Sequence, residues 1–142
     1  PNRFKEPQTS VRTVTAERTF WEKTTILHQV SNTPEGSSFK SRYSRHYYDV
    51  FCLANSKYKQ SAFAQKELLE TVASFKQKFY PCSYAKYDKA RIGTLKLMPP
   101  EHLISLLKKD YSAMQEMIFG EKPSFDAILD GLATLEKEIN EL

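Results

Sequence analysis

Apolar residues in the C-terminal third of the chain recur every three or four positions, which is the spacing of one face of an α-helix. One set follows Pro99-Pro100 and runs towards Gly120: Leu103, Leu106, Leu107, Tyr111, Met114, Met117 and Ile118. A second set follows Ser124, a residue that can cap a helix: Phe125, Ile128, Leu129, Leu132, Leu135 and Ile139. Each stripe needs a partner surface to be buried, so this spacing favours a helical bundle.

Three more helices are expected upstream. Their predicted ranges are 16–30, with Thr15 as N-cap, about 41–55, and 60–80, ended by Pro81. The turn-forming residues of 31–38 indicate a loop. The 82–98 segment has no helical period and ends in TLKLM, which alternates like a short strand or extended segment. We therefore predict an all-α fold: a single domain over 1–142, built as a bundle of about five helices with an irregular segment near 82–98.

Composition limits the classes of protein to consider. Hydrophobic residues make up 40% and charged residues 27% of the chain, as in globular proteins. No apolar run approaches the roughly 20 residues of a membrane span, so we expect no membrane partner and a cytoplasmic location. The net charge of +4 favours contact with RNA or nucleotide phosphates, although many unrelated proteins are equally basic. The N-terminus has neither a Met nor a signal-peptide pattern, which suggests a fragment.

One lysine is out of pattern in the first helix. The apolar face collects Ala16, Phe20, Ile26, Leu27 and Val30, and Lys23 falls inside that arc. The lysine stem can extend past the apolar residues to solvent. Alternatively, its cation is aimed into a cleft, and the pattern alone leaves both interpretations open.

Other polar residues also call for an explanation. Arg42, Arg45, His46 and Asp49 form a stripe on the second helix, which is most simply a solvated face. Asp110 lies within an apolar stripe, where we expect it to bind Arg, Lys or a hydroxyl. The 84–91 segment, YAKYDKAR, interleaves tyrosines with cations and can either stack nucleic-acid bases or simply pack as a loop.

Several enzyme signatures are missing from the sequence. There is no GxSxG, GxxxxGK[ST], HExxH or GxGxxG. Gly36-Ser37 is not followed by an Asp-x-Asp pair, the metal-binding signature of nucleotidyltransferases. Cys52 and Cys82 form no CxxC and lack a histidine cluster, so they indicate neither a zinc site nor a disulfide framework.

Three segments carry a resemblance to a known family. RTFWEK at 18–23 and SRHYYD at 44–49, together with the helical run at 110–140, resemble the AbiEii/AbiGii nucleotidyltransferase toxins. The resemblance implies the C-terminal helical part of an enzyme similar to polymerase-β-type nucleotidyltransferases. The N-terminal domain of that family, which carries Gly-Ser and Asp-x-Asp, would hold Mg²⁺ and an NTP, and it is absent from these residues.

The resemblance also implies roles for individual residues. Lys23 and Asp49 match a lysine and an aspartate of the family's later motifs, so Lys23 is expected to neutralise phosphate and Asp49 to act as base or to orient a partner. Arg45 and His46, with Arg42, are expected to bind substrate or to keep the Asp49 carboxylate charged. No metal ligand is expected in this chain, which alone should be inactive.

The implied partners are the N-terminal nucleotidyltransferase domain, an AbiEi-like antitoxin, and an acceptor that is a tRNA, another RNA or a protein. A different interpretation is a non-catalytic helical module that binds RNA or the antitoxin through Lys and Arg. A third is an inactive structural remnant.

Overall fold

The computed structural model describes residues 15–36, 42–114 and 123–142. Six α-helices lie in these ranges: α1 Ala16–Ser31, α2 Ser44–Ala54, α3 Tyr58–Ala64, α4 Glu67–Phe79, α5 Glu101–Met114 and α6 Phe125–Asn140. The described residues contain no β-strand, which confirms the all-α prediction. The expected end of the fifth helix near Gly120 lies outside the described residues.

Two helix starts agree with their predicted caps. The Thr15 hydroxyl accepts a hydrogen bond from the Arg18 N–H at 3.1 Å, and the Ser124 hydroxyl accepts one from the Ala127 N–H at 3.1 Å. Each satisfies a backbone donor that the first helical turn leaves without a partner. Both helices therefore begin directly after the residue whose side chain caps them.

The helix predicted over 60–80 is two helices, and a tertiary contact accounts for the break. The Ala62 carbonyl accepts hydrogen bonds from the Gln65 N–H at 3.0 Å and from the Trp21 indole N–H at 3.1 Å. In a continuous helix this carbonyl would accept from the N–H four residues later. The one-helix prediction was wrong here because the buried indole lies on α1, far away in sequence.

The irregular segment is held in place by side chains of other elements. It contains one turn of 3-10 helix, Tyr87–Lys89. Further along, buried Leu95 and Leu97 alternate with exposed Thr94 and Lys96. Asn140 on α6 accepts from the Leu95 N–H at 3.1 Å and donates to its carbonyl at 2.9 Å. The segment is irregular, as predicted, and its TLKLM part forms no β-strand, because helix side chains take the place of a neighbouring strand.

Helix α1 lies at the centre of the fold, packed against α2, α3 and α4. Its Phe20, Trp21 and Leu27 are completely buried, and the rings of Phe20 and Trp21 meet edge to face with centroids 5.1 Å apart. Helix α6 packs against α2. No helix among the described residues is long and apolar enough to cross a membrane.

Candidate functional site

Lys23 and Asp49 meet although they come from different helices. The buried aromatic residues beside Lys23 fix the rotation of α1, and buried Tyr47 and Val50 fix that of α2. The Lys23 Nζ lies 3.2 Å from the Asp49 Oδ2, across a separation of 26 positions. Their side chains are 31% and 23% exposed, so the ion pair can be reached from solvent.

Two of the three other predicted site residues lie beside this pair. The Arg45 Nε is 3.7 Å from the Asp49 Oδ1, and its side chain is 62% exposed. Burial lowers the pKa of His46, and the nearby Lys23 lowers it further. Its Nδ1 is buried and has no hydrogen-bond partner among the described residues. The structure records no ion pair or hydrogen bond from Arg42 to Lys23 or Asp49.

Arg42 instead contributes its backbone to the start of α2. It adopts a left-handed conformation with φ of 69°, and its N–H donates to the Asp110 Oδ1 at 2.7 Å. The other Asp110 oxygen accepts from the Ser44 N–H at 3.0 Å and from the Ser44 hydroxyl. Asp110 therefore binds a hydroxyl, as expected from its apolar surroundings, and it sets where the helix carrying Asp49 begins.

A second lysine near the pair was not predicted. Lys76 on α4 donates from its Nζ to the carbonyl of Glu22, the residue before Lys23, at 3.1 Å. Burial lowers the pKa of Lys76 to about 8, and the charge of Lys23 contributes in the same direction. The sequence carried a usable signal, because Lys76 is four positions after the buried Val72. It falls on the apolar face of its helix, as Lys23 does.

The tyrosine-rich segment at 84–91 is largely a packed loop. Tyr87 is 7% exposed, and its hydroxyl donates to the Gln29 Oε1 at 3.1 Å. Tyr84 is half-buried. Base stacking on Tyr87 is therefore excluded, whereas the lysines of the segment remain exposed.

The described residues do not fit a Mg²⁺ site of their own. No group of three His, Cys, Asp or Glu side chains within the described ranges could hold a metal ion. Asp49 is already bound by Lys23 and Arg45. Glu22, the nearest other carboxylate on α1, pairs with Arg18 at 3.0 Å.

The lysine–aspartate pair and its neighbours make a site with several cations around one carboxylate. Such a site can hold an anionic ligand against Lys23 and Lys76 while Asp49 accepts a proton or a hydrogen bond.

No match was found among curated proteins or among solved structures. A family model described as "Nucleotidyl transferase AbiEii toxin, Type IV TA system" matches residues 1–131. The chain therefore belongs to the AbiEii family of nucleotidyl transferase toxins.

Proposed function

We propose that the complete protein transfers a nucleotide from an NTP to an acceptor hydroxyl and that this chain supplies Lys23 and Asp49 to the active site. The family places the chain among toxins of toxin–antitoxin systems that are nucleotidyl transferases. The acceptor in this proposal is an RNA, such as a tRNA end, or a protein side chain.

The observation that carries the proposal is the contact between Lys23 and Asp49. Nucleotidyl transfer develops negative charge on the departing pyrophosphate, which a lysine ammonium can neutralise. The acceptor hydroxyl must lose a proton, and a carboxylate within hydrogen-bond reach can take it. The two groups lie 3.2 Å apart and are partly exposed, so a substrate could insert beside both.

The neighbouring charges support an anionic ligand at this position. Lys76 places a second ammonium next to the α1 backbone at Glu22, and Arg45 adds an exposed guanidinium beside Asp49. With a pKa of about 8, Lys76 is mostly protonated at neutral pH. We propose that Lys76 contacts phosphate together with Lys23.

The remaining parts of the proposed enzyme lie outside this chain. Mg²⁺ and its carboxylate ligands belong to a preceding nucleotidyltransferase domain, which also holds the NTP. An AbiEi-like antitoxin is the proposed partner, and the proposed location is the cytoplasm.

The test uses the full-length protein and radiolabelled NTPs. Lys23→Ala and Asp49→Ala should each reduce NTP-dependent labelling of the acceptor by at least about 100-fold, a loss typical of a removed transition-state contact. Growth inhibition should be lost in parallel. Lys76→Met should give a smaller loss, since Lys23 still provides one ammonium.

A matched control is available within the same fold. Lys59 and Glu138 form an ion pair with the same 3.2 Å separation and side chains that are also partly exposed, but they join α3 to α6. Lys59→Ala and Glu138→Ala should leave labelling and toxicity intact. If Lys23→Ala and Asp49→Ala also retain labelling, their catalytic assignment is wrong.

An exposed aromatic patch favours a second function, the non-catalytic binding module. Phe75, Phe79 and Tyr80 are 44%, 56% and 66% exposed, and the Phe75 and Phe79 rings lie 4.8 Å apart. Exposed aromatic clusters are typical of surfaces that bind partners. In this case Phe79→Ser and Tyr80→Ser should abolish binding of the RNA or of the antitoxin, while Lys23→Ala and Asp49→Ala leave labelling of the acceptor unchanged. That result would replace the catalytic interpretation with the binding module.

A further inference from the structure

A cavity of about 310 Å³ lies between the end of α1 and the irregular segment. Its lining residues are His28, Asn32, Lys86, Lys89, Thr94 and Lys96. None of them belongs to the Lys23, Asp49 and Lys76 site. The volume is within the usual range of small-ligand clefts.

Three of the lining residues are lysines, and we call Lys86, Lys89 and Lys96 the lysine cradle. All three are exposed, and none forms an ion pair with a carboxylate in the described parts of the chain. Asp88 and Glu136 are the carboxylates whose charges act on nearby His28. Like charges facing one cavity repel one another, so an anion bound there would be stabilised.

Lysines on a surface are usually solvated independently, but the backbone of this cradle is fixed. The His28 Nε2 donates to the Lys86 carbonyl at 2.9 Å, and its Nδ1 accepts from the Lys96 N–H at 3.1 Å. Thr94 donates from its hydroxyl to the Lys89 carbonyl at 2.6 Å. The cavity's own residues therefore hold all three lysine backbones in one arrangement.

The buried histidine connects the cradle to the core without adding a charge to it. His28 is completely enclosed, and burial lowers its pKa, which favours the neutral ring with a proton on Nε2. The Glu136 carboxylate is bound to backbone groups, since its Oε1 accepts hydrogen bonds from the N–H groups of Leu97 and Met98. The lysines thus provide the cations that face the cavity.

We propose that the lysine cradle is a second anion site, which binds phosphate groups of a small polyphosphate or of a polynucleotide backbone. Lysine ammonium groups are compact donors suited to phosphate oxygens. Two or three of them around one cavity match a ligand with several linked phosphates. The inference does not depend on the proposed catalytic role of Lys23 and Asp49.

The test compares two triple variants with the same change in net charge. Lys86→Gln, Lys89→Gln and Lys96→Gln together remove the cradle. The control combines Lys57→Gln, Lys78→Gln and Lys109→Gln, three exposed lysines on other elements that form no ion pair with a described carboxylate. Thermal melting checks that both variants remain folded, as expected for substitutions of exposed side chains.

Binding is measured for two probes, inorganic triphosphate by NMR titration and a single-stranded RNA by fluorescence anisotropy at several salt concentrations. The cradle variant should bind at least about tenfold more weakly, whereas the control should stay within about threefold of the wild type. For RNA, the slope of log affinity against log salt should also fall by about 2, since each contacted phosphate contributes roughly 0.7.

The pattern of losses distinguishes the two phosphate sources. Loss for both probes indicates a site open to free polyphosphates, and loss for RNA alone indicates a backbone site. Equal losses of affinity in the cradle and control variants would show that overall charge causes the effect, and would overturn the proposal. A wild-type chain that binds neither probe would also overturn it.

Discussion

Lys23 and Lys76 both lie on the apolar faces of their helices, and both reach polar partners at the edge of the core. Lys23 donates to the Asp49 carboxylate, whereas among the described residues Lys76 donates to a backbone carbonyl. Desolvation of the half-buried ammonium lowers the pKa of Lys76, and the charge of Glu22 offsets only part of that effect. Helical spacing thus puts both lysines on an apolar face, but the groups around their ammonium nitrogens differ.

His28 should make the free energy of unfolding depend on pH. Because burial lowers its pKa, the unfolded chain binds more protons than the folded chain below the ordinary value of about 6.5. The stabilisation by neutral His28 is fully present above pH 6.5 and is lost as the pH falls from there through the lower pKa of the folded state. We expect His28→Gln to flatten this dependence between pH 7.5 and 5, at a cost of about 2 kcal/mol at pH 7.5 from disturbed hydrogen bonds.

Urea denaturation at a series of pH values measures the effect. Some dependence should remain, because burial also lowers the pKa of His46. His102→Gln provides the control, since His102 is exposed on α5. A His28→Gln variant that keeps the full wild-type dependence would contradict the assignment.

At the scale of elements, the start of α2 is determined by α5. Asp110 accepts hydrogen bonds from the Arg42 and Ser44 N–H groups and from the Ser44 hydroxyl. A helix otherwise leaves its first N–H groups without partners, and a carboxylate there also interacts favourably with the helix dipole. The sequence predicted a start near Ser41, because nothing local reveals a capping group 66 positions away.

Removing this cap should destabilise the fold. Asp110→Ala is expected to lower the free energy of unfolding by about 3 kcal/mol, because it leaves partly buried donors unsatisfied. Asp110→Asn keeps one acceptor oxygen and should cost about half as much. Chemical denaturation measures both. Asp130→Asn, at an exposed position on α6, should change stability by less than about 0.5 kcal/mol.

The contact between α2 and α6 depends on a glycine. A Cβ added at Gly131 would lie 2.7 Å from the Phe51 Cε1 and 2.9 Å from its Cδ1, closer than side-chain atoms pack. Alanine gains about 1 kcal/mol in helix propensity, but overpacking costs about 1–3 kcal/mol. We therefore expect Gly131→Ala to be net destabilising by about 1 kcal/mol.

A double-mutant cycle tests the origin of that effect. In a Phe51→Ala background the added methyl group meets no ring, so Gly131→Ala should become stabilising. Thermal or urea unfolding of the four proteins gives the coupling energy. The same sign for Gly131→Ala in both backgrounds would disprove the clash.

At the scale of the whole molecule, the last turn of α6 holds the irregular segment at 82–98 in place. The Asn140 amide accepts from the Gly93 and Leu95 N–H groups and donates to the Leu95 carbonyl. This one side chain joins α6 to a segment 45 positions earlier. The segment in turn contributes Leu95 and Leu97 to the core.

Asn140→Ala should therefore loosen residues far from it in sequence. We expect a loss of about 2–3 kcal/mol in unfolding free energy and faster amide hydrogen exchange in 93–97. Asn55→Ala is the control, because among the described residues the exposed Asn55 amide donates to the Phe51 carbonyl, one turn earlier in sequence. Unchanged exchange at 93–97 in Asn140→Ala would show that core packing alone holds the segment.

Local patterns predicted the helices well, and long-range contacts account for what they missed. Thr15 and Ser124 cap helices through their own first turns, which a sequence reveals directly. The break after Ala62 involves an indole from α1, which no local pattern contains. Phe75 and Phe79 fit the apolar spacing of their helix and are nevertheless exposed, because the packing of α4 on α1 buries Val72 and Ala73 instead.

The residues of the candidate site likewise differ in whether the sequence could predict them. Family resemblance pointed to Lys23 and Asp49, and the fold brings their charged atoms together. Arg45 follows from helical spacing, since it lies one turn before Asp49. Lys76 comes from a third helix, so its place beside the pair depends on tertiary packing.

The capping of α2 by Asp110 has a consequence for the order of events during protein synthesis. Lys23 and Asp49 leave the ribosome well before α5, whose carboxylate anchors the helix that carries Asp49. A nascent chain that ends before residue 110 therefore has both charged residues but lacks the support that sets their geometry. We therefore expect the geometry of this pair to be supported only once translation has passed residue 110.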